Sequence, residues 1–468
     1  MSTVTIGSIQ QRVAALPEKY QPIFGHPELS DSPSRACGDR LLEIMKIHDA
    51  LQRKLGRSLT VLDLGCAQGY FSLSLAEAGA DVLGIDFLPA NLEVCRALAA
   101  EHSALKVSFE ASRIEKAIEY LQPGRFDLVL GLSVFHHIAH EKGADEVKRM
   151  INLLAERAGC LILEVALKEE PLYWGPAQPD DPRSLLEDIA FVFELGRHGT
   201  HLAPIARPLF VASNQYWILQ GQSGRFDSWT IDPHVLAENT HQDSRRYIFG
   251  ENFILKLFRF DHSRGDHNKK EFTNEISLLW QPPTGFPAPA LIAFEDGEVN
   301  AGIVMQRIKG RLLLDLLREG ALVDMRSVLL AVLEQLAVLE SAGLYHNDVR
   351  TWNVLVAEDG TTHLIDYGSI SPKPQDCVWP GNLFLAFLIF VREVVTGVVD
   401  DPNPMRTISI SPFGLPQPYR SWATTLWRHP LNEWSFLLMH KTLQETPAEM
   451  IEEPDRKSTR LNSSHVSQ

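Results

Sequence analysis

The chain has 468 residues, of which 45% are hydrophobic and 22% charged, and its net charge is −15 at pH 7. This length exceeds one ordinary domain and favours two or three, each with a sizeable core. The acidic balance excludes a general nucleic-acid-binding protein, because phosphate backbones require clustered Lys and Arg. The five cysteines show no paired or metal-like spacing, which indicates a reducing, cytoplasmic compartment. They are Cys37, Cys66, Cys95, Cys160 and Cys377.

Neither a signal peptide nor a membrane span is expected. The opening MSTVTIGSIQQ lacks a basic start followed by a continuous apolar stretch. The most apolar run, residues 383–391, is broken by Arg392 and Glu393 and is far shorter than the ~20 residues of a membrane span. We therefore expect this run to be a buried helix and any membrane contact to be peripheral.

Short apolar runs alternate with amphipathic stretches from about residue 60 to 211. LTVLDLG, ADVLGIDF, FDLVLGLS and CLILEVA predict strands, whereas YFSLSLAEAG and NLEVCRALAAEH predict helices. This alternation is typical of βαβ units and predicts an α/β fold with a parallel sheet covered by helices. Residues 168–210 contain EEPLYWGPAQPDDPR and RPLFVAS and interrupt the pattern. We expect them to form a lid ahead of a last strand near residues 216–219.

The second half of the chain has another pattern. FDSWTID, RRYIFG and NFILKLFRF predict antiparallel strands, NKKEFTNEISLLW a helix and AGIVMQRI a further strand. Long helices follow, such as DMRSVLLAVLEQLAVLESAG. A β-rich lobe before a helical lobe is the order of an α+β, bilobal, protein-kinase-like domain.

These patterns predict two domains with a boundary near residue 224. The polar, aperiodic end RKSTRLNSSHVSQ predicts a disordered tail or an expression remnant. The expected ranges are 1–223 for the first domain with an N-terminal cap at 1–50, 224–450 for the second with lobes meeting near 310, and 451–468 for the tail.

A strand-to-helix turn carries the first candidate site. VLDLGCAQGYFSLSLA places Asp63, Gly65 and Gly69 at this turn, where glycine lets a ligand lie against backbone amides. About twenty residues later VLGIDF ends a strand with Asp86, whose carboxylate can accept hydrogen bonds from both ribose hydroxyls. The pattern predicts a nucleoside cofactor, and this spacing would also suit NAD.

The D-x-G-x-x-x-G form, without G-x-G-x-x-G, resembles class I S-adenosylmethionine-dependent methyltransferases. The middle glycine of that family is Ala67 here. The resemblance implies that S-adenosylmethionine is bound by the N-terminal segment and by the ends of several strands. The implied residues are Tyr20, Gln21, Arg40, Asp63, Gly65, Cys66, Gly69, Asp86, Phe87, Ser112, Arg113, Ile114, Glu115 and Leu132.

The same resemblance assigns parts of the cofactor to parts of the chain. Residues 112–115 would lie against the adenine, and Leu132 and Ser133 near the methionine. Arg40 could meet the methionine carboxylate in a bidentate pair. Tyr20 and Phe24 belong to a segment that could fold over the cofactor, and Cys66 is a small residue that fills the turn.

The pair His136 and His137 allows two interpretations. One histidine could orient a methyl acceptor or take a proton. Alternatively, the two form a loop pair that packs under the lid. The sequence leaves both open.

The motif HNDVRTWN, residues 346–353, carries the second candidate site. Phosphoryl transfer requires a carboxylate at the attacking hydroxyl, metal ions between phosphates, and cations for the spread charge. Asp348 is the candidate base or hydroxyl-orienting group, and Asn353 a candidate ligand of Mg²⁺. Asp366 in LIDYG is the second candidate metal ligand.

Residues earlier in the chain complete this second set. Lys256 in FILKLF could reach the α- and β-phosphates of ATP, and Glu275 on the next helix could pair with it. The order Lys, Glu, Asp, Asn, Asp is typical of protein-kinase-like enzymes. Arg350 would add a cation near the γ-phosphate. The hinge that holds adenine is expected at Gln306, Arg307 and Ile308.

Departures from the protein-kinase pattern favour a small acceptor. Asn347 replaces the usual Arg, which argues against activation by a phosphorylated loop. IDPHVLAENTHQDS stands where a glycine-rich loop would precede Lys256. No long activation segment follows Gly368, so we expect a kinase for a small molecule or sugar. Trp352 is expected to pack rather than to stack on a sugar.

The stretches YQPIFGHPE, GLSVFHHI, KEEPLYWG, SRRYIFGENF and PQDCVWP are more specific. They closely resemble the bifunctional kinase–methyltransferases of the WbdD type, which terminate polymannose O-antigen chains in Gram-negative bacteria. The resemblance covers nearly the whole chain. It implies that the kinase uses ATP and Mg²⁺ to phosphorylate the non-reducing terminal mannose of a lipid-linked glycan. The methyltransferase would then methylate that phosphate.

The resemblance also implies a location and partners. Members act at the inner face of the bacterial inner membrane as peripheral proteins. Their C-terminal coiled coil forms trimers and contacts the membrane and a mannosyl polymerase. No sustained heptad repeat is present in this sequence. The sequence therefore leaves open whether this chain forms an oligomer.

Methylation of a phosphate needs positioning more than a base. The second pKa of a phosphate monoester lies near ~6, so the group is already a nucleophile at pH 7. The sequence shows no convincing base in the first domain. Arg207, Arg183 and Lys168 are the candidate cations near the lid.

Two other functions fit the motifs less well. The methyltransferase could act on another acceptor, beside a kinase for a different sugar or lipid. Alternatively, the kinase-like domain could be a regulatory module without catalysis. The complete set of Lys256, Glu275, Asp348, Asn353 and Asp366 argues against the second alternative, since decayed kinases usually lose one of them.

Overall fold

The structure is a computed structural model that describes residues 6–31, 33–376, 381–399 and 411–448. The expected tail at 451–468 and Cys377 lie outside these residues. By compactness the chain forms two units, each described here by itself. The first unit comprises Met1–Ile231, His241–Gly265 and Ile292–Met305, and the second Asp232–Thr240, Asp266–Leu291 and Gln306–Gln468.

A seven-stranded sheet lies at the centre of the first unit. Its first five strands are parallel, in the order β3-β2-β1-β4-β5, and β7 pairs antiparallel with both β5 and β6. The predicted α/β fold is therefore confirmed, with a mixed rather than a parallel sheet. The strands are β1 (Thr60–Leu64), β2 (Asp81–Asp86), β3 (Val107–Ala111), β4 (Leu128–Leu132), β5 (Cys160–Glu164), β6 (Phe191–His198) and β7 (Arg207–Ser213).

Helices cover both faces of this sheet. Apolar residues of α2 and α3 form one core cluster with one face, and those of α5, α6 and α7 form another cluster with the opposite face. Strands buried on both faces read as continuous apolar runs, which is why the central strands were recognisable. The helices are α1 (Ile6–Ala14), α2 (Gly38–Leu55), α3 (Tyr70–Glu77), α4 (Pro89–Glu101), α5 (Ile114–Glu119), α6 (Phe135–Lys142) and α7 (Ala144–Arg157).

The expected lid over residues 168–210 is wrong in extent. Strand β6 and most of β7 fall inside that range and belong to the sheet. Every residue of β7 is buried, so its sequence lacks the alternation of apolar and polar residues that marks a half-exposed strand. Pro208 also argued against a strand at this position. Residues 216–219 are not the last strand of the sheet. They form β8 (Tyr216–Leu219) and pair with β9 (Gln222–Arg225) in a separate hairpin.

A second sheet in the first unit has five strands in the order β10-β11-β12-β14-β13. The predicted strands around FDSWTID, RRYIFG, NFILKLFRF and AGIVMQRI are all present. Pairing is antiparallel between β10 and β11 and between β11 and β12. The strands are β10 (Ser228–Thr230), β11 (Arg245–Phe249), β12 (Phe253–Arg259), β13 (Leu291–Asp296) and β14 (Asn300–Gln306).

One apolar core joins the two sheets of the first unit. Val61 and Val211 of the seven-stranded sheet belong to the same buried cluster as Trp217, Ile248 and Val304. Residue 224 lies inside this unit. A domain boundary at that position would therefore divide residues that share one apolar core.

Arg183 adds a buried polar connection in the same unit. Its Nη2 donates to Asn300 Oδ1 at 2.8 Å, and its Nε donates to Asp261 Oδ2 at 3.3 Å. The Arg183 side chain is 8% exposed and lies 3.5 Å from Glu194. Arg183, considered above as a cation for the methyl acceptor, is instead committed to this connection.

The second unit is mainly helical. Its core is formed by α9 to α13 around the short strands, and α11 confirms the buried helix expected at residues 383–391. Asp324 accepts a hydrogen bond from Ser327 N at 3.1 Å and so caps α10. The elements are α8 (Gly265–Trp280), β15 (Gly310–Leu312), α9 (Leu313–Arg318), α10 (Met325–Ser341), β16 (Tyr345–His346), β17 (Val354–Ala357), β18 (Thr362–Leu364), β19 (Ile370–Ser371), α11 (Leu383–Thr396), α12 (Tyr419–Leu426) and α13 (Phe436–Glu445).

Among the described residues, no helix combines the length and the apolar character that crossing a bilayer would require.

His26 fastens the N-terminal segment to the first unit. Its Nδ1 lies 2.8 Å from Glu28 Oε1 and its Nε2 lies 2.8 Å from Glu101 Oε2 on α4. Burial alone would lower the pKa of His26, but the hydrogen bonds to Glu101 and Glu28 raise it overall. A ring that donates from both nitrogens is the protonated imidazolium.

Arg183→Met tests the buried connection of the first unit. Removing the guanidinium takes one partner each from Asp261, Asn300 and Glu194 in a buried network, so we expect a loss of about 3 kcal/mol of unfolding free energy. Chemical denaturation measures this loss. Arg57→Met is the matched control and should cost less, about 1 kcal/mol, because Arg57 is 54% exposed and its partner Asp127 keeps hydrogen bonds from Thr60. Equal losses in both variants would contradict the structural role of Arg183.

His26→Gln tests the pH dependence of the N-terminal fastening. Because the folded pKa of His26 is raised, its stabilisation is complete below the ordinary value of about 6.5 and is lost as the pH rises through the raised value. The stability advantage of the wild-type protein over the variant should therefore shrink on going from pH 6 to pH 8.5. Denaturation at a series of pH values measures it, and an advantage that grows with pH would refute this account.

Candidate functional site

The carboxyl ends of β1 and β4 meet where the strand order of the first sheet reverses, which is where open α/β sheets bind ligands. Gly65 and Gly69 lie at this point with φ of +72° and +77°. A Cβ on Gly65 would lie 2.6 Å from Val134 Cγ1, and one on Gly69 would lie 3.1 Å from Cys95 Sγ. Both conformation and space therefore require glycine here.

Asp86 at the end of β2 faces this turn. Its Oδ2 accepts from the Ala67 N–H at 3.0 Å and its Oδ1 from the Leu88 N–H at 2.8 Å. Burial raises the pKa of Asp86, and these backbone hydrogen bonds oppose the rise. Ala67, which replaces the glycine of the methyltransferase family, has a φ of +47°. It keeps the left-handed conformation, at a cost of about 1–2 kcal/mol.

A relay of side-chain amides joins this turn to the N-terminal segment. Gln68 Oε1 accepts from the backbone N–H groups of Tyr20 at 3.1 Å and Gln21 at 2.9 Å. Gln68 Nε2 donates to Asn91 Oδ1 at 2.6 Å. Gln21 Oε1 accepts in turn from Tyr70 N at 3.1 Å. Two expected cofactor residues are thus placed by Gln68 and Asn91, which the sequence did not single out.

Asp63 lies under the glycine turn. It is fully buried and accepts a hydrogen bond from Ser72 Oγ at 2.6 Å. Burial raises the pKa of Asp63 to about 6, and the bond from Ser72 opposes this rise. Cys66 is also buried, consistent with a small residue that fills the turn.

The residues expected around the ribose and adenine follow β2 and β3. Ser112 N donates to Asp86 O at 3.1 Å, so the ends of these strands are joined. Glu115 accepts from Lys142 Nζ at 3.2 Å, and hydrogen bonds and nearby cations lower its pKa against the effect of burial. Phe87 is 75% exposed. Arg113 is exposed and Ile114 half-buried.

A small cavity collects several of the expected residues of the first site. Arg35, Cys37, Phe71 and Glu164 also line it, and none of these four was predicted as a site residue. The cavity therefore lies at the edge of the sheet where the sequence predicts the cofactor. The expected residues that line it are Tyr20, Gln21, Arg40, Asp63, Gly65 and Leu132.

Glu164 ends β5 inside this cavity and is 1% exposed. Its Oε2 accepts from Arg40 Nε at 2.8 Å, and its Oε1 accepts from Arg35 Nη2. Arg40 also donates to Ala36 O at 2.7 Å and to Gly199 O at 2.8 Å. Arg40 therefore lines this cavity, and several of its N–H groups already donate to Glu164, Ala36 and Gly199. Its contact with a methionine carboxylate stays a prediction.

His136 and His137 lie on α6 rather than in a loop. The His136 ring packs 4.5 Å from the Trp174 ring, and His137 Nδ1 lies 2.9 Å from the Tyr173 hydroxyl. Burial, together with the positive charge of Arg207, lowers the pKa of His136 to about 2. A histidine with so low a pKa is a poor general base at neutral pH.

Arg207 and Lys168 differ in their surroundings. Arg207 is 3% exposed and donates through Nε and Nη2 to the two oxygens of Glu170, each at 2.7 Å. Lys168 is largely exposed and pairs with Asp180 at 2.6 Å. Of the three cations considered for the acceptor, Arg207 alone carries the charge that lowers the pKa of His136, His137 and His201.

In the second unit, HNDVRTWN brings Asp348 and Asn353 together. Asn353 Nδ2 donates to Asp348 Oδ2 at 2.8 Å and to Asp348 O at 2.9 Å. The amide nitrogen is thereby used, which leaves Oδ1 of Asn353 as the atom able to bind a cation. Carboxylate and amide oxygens are the ligands that Mg²⁺ prefers.

Arg350 is buried beside this pair. It donates bidentately to Asp376, at 3.1 and 2.6 Å, and its Nε lies 3.3 Å from Asp348 Oδ1. The guanidinium is 1% exposed. These contacts suit a residue that positions Asp348 better than one that reaches a γ-phosphate.

His346 and Asn347 brace the same loop from the other side. His346 Nε2 lies 3.0 Å from Ile365 O, next to Asp366. Asn347 Nδ2 donates to Ser371 Oγ at 2.9 Å, and its Oδ1 accepts from Gln375 N at 3.1 Å. A neutral amide therefore holds the segment after Gly368; that this loop needs no phosphate stays a prediction.

Helix α8 packs on the segment that carries Asp366. Asn274 Nδ2 donates to Gly368 O at 2.9 Å, and a Cβ on Gly368 would lie 2.8 Å from Glu271 Cβ. The glycine thus permits close approach of the helix. Asp366 has a φ of +65°, a conformation in which Asp is tolerated. Asn353 and Asp366 fit a Mg²⁺ site whose other ligands come from phosphates and water.

The described residues contain no group of three or more His, Cys, Asp or Glu side chains that would form a ready metal site. The rings of His234 and Trp352 stack at 5.0 Å, as expected if Trp352 packs.

Lys256 lies on β12 in the first unit, and Glu275 lies on α8 in the second. Both side chains are buried, with exposures of 9% and 1%. Their ion pair stays a prediction.

The expected hinge lines a cavity of the second unit. Gln306, Arg307 and Ile308 border a space of about 460 Å³ together with residues 287–289 and 357–359. Gln306 N donates to Ala290 O at 2.8 Å. Adenine binding by this hinge stays a prediction.

Comparison with known proteins agrees with a methyltransferase site in the first unit and a kinase site in the second. A protein family described as a methyltransferase domain matches residues 55–188. The O-antigen chain terminator bifunctional methyltransferase/kinase WbdD of Escherichia coli is 46% identical over 434 residues, which are 91% of this chain and 61% of that protein. The chain thus spans about three fifths of the length of this curated relative.

Solved structures extend the likeness to the fold. A structure of the bifunctional kinase–methyltransferase WbdD is 43% identical and has a TM-score of 0.81, covering 94% of this chain and 96% of that chain. Another, in which a C-terminal bundle is ordered, has a TM-score of 0.87 and covers 96% and 92%. The fold is therefore a class I, Rossmann-like methyltransferase followed by a bilobal kinase-like domain, and the chain belongs to the WbdD family of bifunctional kinase–methyltransferases.

Proposed function

We propose that this chain terminates O-antigen polysaccharides in two steps. ATP first phosphorylates the non-reducing terminal mannose of a polymannose chain, and S-adenosylmethionine then methylates that phosphate. The blocked end can no longer be extended. The relatives named as chain terminators support the assignment, as do the two constellations in one chain.

In the kinase half, the chain's own groups position the acceptor hydroxyl. Asp348 accepts the proton of the attacking mannose hydroxyl, and the Asn353 and Arg350 contacts fix its carboxylate. Asn353 Oδ1 and Asp366 would hold Mg²⁺, which when bound neutralises phosphate charge. Lys256, with Glu275 as its partner, would meet the α- and β-phosphates of ATP.

In the methyltransferase half, the first unit holds the cofactor. Asp86 would accept from the ribose hydroxyls, and the backbone at Gly65 and Gly69 would lie against S-adenosylmethionine. The cofactor supplies an electrophilic methyl group when bound. The phosphate is already anionic at pH 7, so the low basicity of His136 is no obstacle.

The substrate fixes where the enzyme works. A growing polymannose chain is carried on a membrane lipid, so we propose a peripheral position on the inner face of the inner membrane. A mannosyl polymerase that shares this substrate is the partner we propose. The likeness to proteins of O-antigen synthesis supports both.

One observation carries the kinase assignment above the others. The Asp348–Asn353 pair is held by Arg350, which is itself buried and paired with the buried Asp376. A regulatory module without catalysis would have no need to hold the Asp348 carboxylate in this way.

Asp348→Asn tests the kinase. Removing the proton acceptor while keeping the shape should lower the rate of phosphoryl transfer by roughly 10²–10⁴-fold. The measurement is transfer of labelled phosphate from ATP to short mannose oligosaccharides. Asp145→Asn, the same change at an exposed position of α7 in the first unit, is the control and should leave the rate unchanged. Equal label transfer by wild type and Asp348→Asn would eliminate the kinase assignment.

Asp86→Ala tests the independence of the two sites. Loss of the ribose acceptor should weaken S-adenosylmethionine binding by roughly tenfold or more, since hydrogen bonds to a charged group contribute about 1.5–3 kcal/mol. Calorimetry measures the affinity, and phosphoryl transfer by the same variant should be unaffected. Unchanged cofactor affinity would place the ribose elsewhere.

A further inference from the structure

The strand order of the first sheet separates the cofactor from its methyl acceptor. Asp86 and Ser112, at the ends of β2 and β3, are where we place the ribose and adenine. The rest of the cofactor must then extend across β1 towards β4. The acceptor is left with the ends of β4 and β5, where Ser133 and Glu164 lie.

Arg35 occupies this acceptor side and is 5% exposed. Its Nη1 donates to Tyr20 Oη at 2.9 Å and to Ser133 Oγ at 2.5 Å. Its Nη2 donates to Glu164 and, at 3.3 Å, to Gly199 O. One guanidinium is therefore hydrogen bonded to the N-terminal segment and to residues at the ends of β4, β5 and β6.

Both hydroxyls that Arg35 contacts act as acceptors in these bonds. Each O–H therefore keeps its proton for another partner, and the described part of the chain offers no acceptor for either proton. A hydroxyl that accepts from a guanidinium is also polarised towards donating. Tyr20 and Ser133 thus present two donors to a ligand.

The charge and the unpaired atoms of this region favour an anion. Arg35 and Arg40 share the buried carboxylate of Glu164, so neither guanidinium has that carboxylate to itself. Asp63 lines the same cavity, but its side chain accepts its hydrogen bond from Ser72 and not from either arginine. Asp39, the other carboxylate near Arg40, is 50% exposed. Arg35 Nε is buried and without a hydrogen-bond partner among the described residues, and so is His136 Nδ1.

The neighbouring histidines agree with this reading. His201 packs edge-on to Tyr20 at 5.5 Å. Burial lowers the pKa of His136 and His201, and the charges of Arg207 and Arg35 lower it further, whereas Glu18 opposes this effect at His201. The neutral imidazoles add no charge to this region, in which Arg207 is already paired with Glu170.

We propose that Arg35, with the hydroxyls of Tyr20 and Ser133, binds the phosphate of the methyl acceptor. This assignment rests on the proposed function, because the acceptor it names is a sugar phosphomonoester. Sequence reasoning had offered Arg207, Arg183 and Lys168 for this task. Each of these three cations has a carboxylate partner: Glu170 for Arg207, Asp261 for Arg183 and Asp180 for Lys168. Arg35 shares Glu164 with Arg40 and keeps a buried Nε without a hydrogen-bond partner among the described residues, so it is the better placed.

The transfer balances without a base. A phosphate oxygen forms a bond to the methyl carbon while the carbon–sulfur bond breaks, and the electron pair stays on sulfur. The acceptor changes from a dianion to a monoanionic diester, so no proton needs to move. A cationic site holds the dianion more tightly than the product, which favours release. Loss of Arg35 should therefore affect KM for the acceptor more than kcat.

The test measures binding by calorimetry with the whole chain saturated with S-adenosylhomocysteine. The probe is a synthetic mannose oligosaccharide phosphomonoester. Ser133→Ala should weaken its binding by roughly tenfold and Arg35→Met by more, as expected for hydrogen bonds to a charged group. Arg35 lines the cofactor cavity and Ser133 follows Leu132, which also lines it, so the affinity for S-adenosylhomocysteine should fall as well, but by clearly less than the affinity for the phosphomonoester.

Two controls make the result specific. Arg57→Met, the same change at an exposed position, should alter neither affinity. The unphosphorylated oligosaccharide should bind wild type and Arg35→Met alike, because the phosphate is absent.

Distinct outcomes separate the two proposals. If Ser133→Ala and Arg35→Met bind the phosphomonoester as wild type does, or lose affinity for S-adenosylhomocysteine to the same degree, the assignment of Arg35 is wrong. If wild type itself fails to bind the phosphomonoester, the proposed function fails and the assignment falls with it.

Discussion

The buried carboxylate of Glu164 is the constraint on which the first site depends. A carboxylate with 1% exposure must be neutralised or hydrogen bonded, since an unpaired buried charge costs several kcal/mol. Its partners, Arg35 and Arg40, come from the N-terminal segment and the start of α2. Satisfying Glu164 therefore draws that segment across the carboxyl edge of the sheet. The segment lines the cavity there through Tyr20 and Arg35.

The second unit follows the same physical rule with other residues. Asp376 is buried and is neutralised by Arg350, which in turn holds Asp348. The pairing fixes a loop that protein kinases often fix through a phosphorylated residue. Asn347 completes the brace with neutral hydrogen bonds. The described part of this loop is thus held by side chains of the chain itself.

Local chemistry explains what the sequence could predict. Gly65 in the turn after one strand and Asp86 at the end of the next have a characteristic spacing, so the strands that carry them were recognisable. Residues that act through distant partners carried no such signal: Arg35 and Gln68 acquire a role only when the N-terminal segment crosses the sheet. At β7 the sequence led to a wrong prediction: its continuous apolar run contains a proline, so it was assigned to a lid and not to a strand of the sheet. Ligand contacts of the remaining predicted residues stay predictions.

The central claim is that two sites in one chain act in sequence, the product of the kinase being the substrate of the methyltransferase. Mass spectrometry of mannose oligosaccharides incubated with Asp348→Asn tests this most directly. With S-adenosylmethionine and ATP, the variant should leave an unphosphorylated oligosaccharide unmodified. The same variant should add one methyl group to an oligosaccharide that already carries the phosphate. Methylation of the unphosphorylated sugar, or failure to methylate the phosphorylated one while S-adenosylmethionine still binds, would contradict the account.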